Sequence, residues 1–120
     1  MLTLIEDLPT NVVGFRASGH VEAADYQQVL DPAIEQALDE HDKVRFLYVL
    51  GGDFEGYSPG AMWEDTKVGV GHWTRWEKIG LVTDNDAYHH AVKAVAWMIP
   101  GEVRLFPLDD LDAATQWISS

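Results

Sequence analysis

Lys43 to Gly60 reads KVRFLYVLGGDFEGYSPG, and its first half decides the fold. Val44, Phe46, Leu47, Tyr48, Val49 and Leu50 form an apolar run rich in β-branched and aromatic residues, too short for a free helix and bounded by Gly51 and Gly52. A strand apolar on both faces belongs at the centre of a parallel sheet. Gly51 to Gly60 then reads as a glycine-punctuated loop at the carboxyl end of that strand, where open α/β sheets present ligands and switches. A helix start follows it.

Upstream, Leu2 to Ile5 and Val12 to Ala17 read as two strands separated by a turn around Pro9. Past Gly19 to Ala24 the period changes, and Tyr26, Leu30, Ala33, Ile34, Ala37, Leu38 and His41 recur at spacings of three and four, one face of a helix. Pro32 implies either a kink or a second helix capped by Asp31 with Pro32 in its first turn. Downstream, Pro59 to Trp76 reads as a helix with Met62, Thr66, Gly69, Val70 and Trp73 on one face, its glycines demanding close packing or an early end. Lys78 to Thr83 is a buried strand, Asp84-Asn85-Asp86 supplies caps for a helix over 87–99, and Pro100-Gly101 ends it. Val103 to Phe106 is a last strand. Asp109 and Asp112 form a box-like start for a closing helix that turns Leu111, Ala114 and Ile118 inward.

The order ββαβαβαβα predicts an α/β fold: a single domain over 1–120, with a mostly parallel four- to five-stranded sheet, an antiparallel edge strand and helices packed around it. At 120 residues the chain has length for one core. Twenty acidic residues against eight basic ones give a formal charge of −12, a field that repels phosphate backbones and anionic membranes, so nucleic acid is not an expected partner. Without cysteine there is no disulfide framework or thiolate chemistry. No leader pattern and no membrane-length apolar run occur, and a cytoplasmic protein is expected.

The motifs that imitate chemistry do not complete it. Gly56-Tyr57-Ser58-Pro59-Gly60 matches G-x-S-x-G, but a nucleophile elbow draws its oxyanion hole from the N–H of the residue after the serine, and Pro59 has none. Ser58 reads instead as a helix N-cap with Pro59 at the first helical position. His89 and His90 are adjacent and diverge by about 100° on a helix, so no metal is expected. Gly51-Gly52 lacks a phosphate-loop lysine, and Asp53 and Glu55 oppose anions. No cofactor and no enzymatic activity are expected.

Several diffuse motifs together resemble the SpoIIAA-like family, which is similar in fold to STAS domains and anti-sigma-factor antagonists. They are Gly19 to Tyr26 entering the first helix, Pro32 within it, Val44 to Leu50, Trp63-Glu64-Asp65-x-Lys67, the run WEKIGLVTD from Trp76 to Asp84, and Val103 to Phe106 ahead of Ala113-Ala114-x-x-Trp117-Ile118. The resemblance implies a sheet with one antiparallel edge strand and no assigned chemistry for most members. In the antagonist branch a phosphorylatable serine follows an aspartate at the start of the helix after the central strand; here Ser58 follows Tyr57, and no Asp-Ser pair occurs. A similar fold also occurs in lipid-carrying CRAL-TRIO domains.

The function these readings predict is a non-enzymatic interaction or regulatory module acting through Gly51 to Gly60 and the helix after it. Asp53, Tyr57, Ser58, Met62, Trp63 and Trp73 are the candidate partner- or ligand-binding residues. The alternative is a carrier of a small apolar or lipid-like ligand, with Met62, Trp63 and Trp73 as pocket wall. A homodimer is a further expectation, since exposed aromatics tend to mark contact surfaces.

Overall fold

A computed structural model covers residues 1–120; the side chains of Gly69, Val70 and Trp73 lie outside the described set. The elements are β1 (Leu2–Leu4), β2 (Val12–Val21), α1 (Ala23–Asp25) running through a π turn (Tyr26–Leu30) into α2 (Asp31–Glu40), β3 (Val44–Tyr57), α3 (Pro59–Gly71), β4 (Trp76–Val82), α4 (Asp86–Ala96), β5 (Glu102–Phe106) and α5 (Leu111–Ser119). Short 3-10 turns precede β4 (Trp73–Arg75) and α5 (Leu108–Asp110). The predicted ββαβαβαβα order and the antiparallel edge are both present.

The strands lie in chain order across the sheet, with β1 antiparallel to β2 and every later pair parallel. Because each crossover advances one strand in the same direction, right-handedness places the crossover helices on one face. Burial agrees with that rule. Phe15, Ala17, Phe46, Tyr48 and Leu50 meet Leu30, Ile34, Leu38 and Ala61 on the first face, while Leu47, Val49 and Val82 meet Ala114 and Ile118 of α5 on the second. Alternate residues of β3 therefore feed two cores, the reason its sequence is apolar on both sides.

Four expectations need correction. Gly51 to Tyr57 is not a loop: β3 continues to Tyr57, and Gly19, His20 and Val21 pair with Phe54, Gly56 and Tyr57 across register shifts. Gly19 and Gly56 take positive φ there (56° and 132°), which glycine permits without strain, so glycines that looked like punctuation are the ladder's adjusting points. Asp31 does not cap a new helix. The helix runs on through the π turn, in which the Asp31 N–H reaches Tyr26 O five residues back; Pro32 has no N–H for the next α-type bond, and the wider turn absorbs that loss.

The helix predicted to end at Trp76 stops at Gly71, and Trp76 opens β4 as a core residue, edge-on to Phe46. The Asp109–Asp112 box does not form, because a 3-10 turn precedes α5 and its Asp110 N-cap makes no side-chain bond. Ala114 and Ile118 are fully buried as expected. Basic side chains instead hold two helix C-termini. Arg75 donates to Leu38 O, His41 O and Asp42 O at the end of α2, and Arg45 and Lys78 donate to Ile118 O and Trp117 O at the end of α5.

Candidate functional site: the end of the central strand and helix α3

Ser58 sits where β3 turns into α3, in extended conformation, and its Oγ accepts the Ala61 N–H at 3.1 Å with Pro59 at the first helical position. The cap reading holds. One turn on, a Cβ added at Gly60 would stand 3.2 Å from the Ala23 Cβ, so α3 crosses close over α1.

Which side of α3 faces the protein is the unusual feature. Of the residues predicted to share one face, Met62 is 60% exposed and Thr66 is exposed, and the neighbouring Trp63 is 64% exposed. Among the described residues the inner positions are Ala61, Glu64, Asp65 and Val68, spaced three and four apart. Glu64, only 7% exposed, accepts from Gln27 Nε2 at 3.4 Å and from Lys67 Nζ at 3.3 Å. Asp31 faces the same group; burial first, and the Glu64 charge second, raise its carboxyl above the usual range, with Lys67 partly opposing. Its Oδ1 is buried without a hydrogen-bond partner.

Asp65 reaches further in. The residue is exposed, but its Oδ1 turns inward to accept the Tyr26 hydroxyl at 2.8 Å. Enclosure raises its carboxyl above the usual range, with the Tyr26 bond partly opposing the rise. The Tyr26 hydroxyl lies 3.0 Å from that of Tyr48, and the Tyr57 ring packs against both, edge-on to Tyr48. Burial pushes all three phenols well above their ordinary value, with Asp65 adding to the rise in each, so they persist as neutral hydrogen-bond donors and not as bases. Phe54 and Tyr88 complete the ring cluster, joining the end of β3 to the start of α4.

The six candidate residues thus separate into three places. Tyr57 is half-buried in the aromatic cluster, Ser58 caps α3, and Met62 and Trp63 project outward from α3. Asp53 is on the opposite face of the sheet, where it and Arg16 both lie over Gly51: a Cβ on that glycine would meet Asp53 Oδ1 at 2.9 Å and Arg16 Nη2 at 3.0 Å. The Trp73 side chain is outside the described set. Sequence reasoning missed Tyr26, Tyr48, Glu64 and Asp65. The available signal was a pair of tyrosines on apolar faces, whose hydroxyls require partners once buried.

Among the described residues no group of three or more histidine or acidic side chains is arranged to hold a metal, and no helix is long and apolar enough to cross a membrane. What the geometry offers is an outward apolar pair on a helix anchored through polar contacts.

This architecture, with one antiparallel edge strand and crossover helices on one face, agrees with the family comparison: the SpoIIAA-like model matches residues 12–119, and the chain belongs to the SpoIIAA-like family. Among solved structures it is similar to an uncharacterized protein of the DUF3478 family with a SpoIIAA-like fold from Shewanella loihica PV-4. The two share 24% identity over 98% of this chain and 93% of that one, with a TM-score of 0.76. No curated protein matches the chain.

Proposed function

We propose that this chain is a non-enzymatic interaction module that binds a protein partner through the outward face of α3, next to the end of the central strand. The observation that carries this reading is the inverted helix: Met62 and Trp63 stand in solvent while Glu64 on the same turn is buried. Folding gains nothing from leaving these two large apolar side chains outside, whereas burying an indole at an interface supplies anchoring energy. Their exposure also favours association over use as a pocket wall.

The test is affinity capture with the wild-type chain, Trp63→Ala and Met62→Ser. A partner retained by wild type should be lost by both variants while their melting curves stay unchanged, since truncating an exposed side chain shifts stability by no more than about 0.5 kcal/mol. Equal recovery by all three would overturn the proposal. Fatty acids of graded length that shift tryptophan emission and raise the melting temperature would restore the carrier reading instead.

A further inference from the structure

The sheet has two edges, and they are finished differently. β1 has three residues, and the π turn packs against it. β5 is the other edge, bounded on one side by β4. The Phe106 carbonyl accepts the Thr83 N–H at 2.9 Å, so Phe106 turns its backbone toward β4. By alternation Arg104 and Glu102 do the same, and the N–H and C=O groups of Val103 and Leu105 point away from the sheet. Beside this edge an open groove of about 300 Å³ runs between α4 and β5, with Val92 and Ala96 on its helix side. Trp97 (80% exposed) and Met98 follow α4 and precede β5 by only a few residues.

A second copy of this chain could add to the edge antiparallel, about a two-fold axis, in three registers that keep Val103 and Leu105 as the hydrogen-bonding residues. An axis through Leu105 brings Pro107 opposite Val103 of the other copy, and Pro107 has no N–H to give. An axis through Arg104 sets two guanidinium groups directly opposite, which is destabilising. An axis through Val103 sets Glu102 opposite Arg104 twice, at the non-hydrogen-bonded positions where side chains approach closest, and sets Val103 against Val103. The edge is therefore complementary in charge to its own antiparallel copy in one register.

We propose that β5 is a homodimerisation edge, joining two sheets through antiparallel β5–β5 pairing centred on Val103. Sedimentation velocity over micromolar to millimolar concentrations should show a reversible dimer. Arg104→Glu and Glu102→Arg should each weaken it by at least about tenfold, because two attractive cross-strand pairs become repulsive. The combined E102R/R104E variant should recover most of the affinity.

Arg104 also lies over the Trp117 ring, 5.4 Å from its centroid. The double variant loses that contact too, so its recovery separates pairing from folding damage. Trp63→Ala should leave the dimer intact, which keeps this surface distinct from the one on α3. A wild-type chain that stays monomeric throughout overturns the proposal and leaves the edge to another protein or to its own charges. A dimer indifferent to the single changes, or one not restored by the double change, equally overturns it.

Discussion

Helices α2 and α3 lie on the same face of the sheet and treat their apolar residues in opposite ways. α2 buries Ile34, Ala37 and Leu38 and turns Glu35, Asp39 and Glu40 outward. α3 buries Ala61 and Glu64, directs one oxygen of Asp65 inward, and exposes Met62 and Trp63. The first arrangement is what core formation alone selects. In the second, hydrogen bonds to Tyr26 and Gln27 take over much of the anchoring and leave Met62 and Trp63 free for another surface. Local rules broken in this way tend to coincide with function.

Ile34→Ala in α2 should cost about 2–5 kcal/mol in denaturant unfolding, the loss typical of a filled core position. A cost below that of the α3 changes would erase the distinction. Tyr26→Phe should cost about 1–3 kcal/mol, since it strips Asp65 and Tyr48 of a hydrogen-bond partner while keeping the ring; hydrogen exchange should show the loss of protection concentrated in α3. Ser58→Ala should cost about 1 kcal/mol through the lost cap, again visible first at the start of α3.

The folded pKa of Asp65 is raised above the unfolded value of 3.8, so the folded state holds this proton more tightly. Its contribution to stability is complete below 3.8 and is lost as pH rises through the raised value. Asp65→Asn should therefore flatten that part of the stability profile relative to wild type, and parallel profiles would mean that Asp65 sits in an unperturbed environment. Smallest of all should be Trp63→Ala, within about 0.5 kcal/mol of wild type by thermal melting.

Much of the fold was legible because its signals are local. The apolar run from Val44 to Leu50, the three-four spacing from Tyr26 to Leu38, and the Ser58-Pro59 pair each specify an element within a few residues. Gly51 to Tyr57 escaped because its extension depends on pairing with Gly19 to Val21, a partner distant in sequence. The facing of α3 escaped for a different reason. Periodicity reports that residues share a face but assumes that the apolar face turns inward, and Tyr26 and Gln27 reverse that by offering bonds to Asp65 and Glu64. The predicted helix that carries Trp63 extends to Trp76, while the fold sends Trp76 into the core at the start of β4 and Trp63 into water.

The agreement between strand order and chain order bears on how the molecule assembles. Every crossover joins strands that are neighbours in the finished sheet, so loop closures are short and their entropic cost is low for a largely parallel sheet. Much of the first core, including Phe15, Ala17, Leu30, Ile34, Phe46 and Tyr48, comes from β2, β3 and the helical segment between them. Each later strand docks on an edge that exists when it emerges from the ribosome, so the sheet can grow in the direction of synthesis.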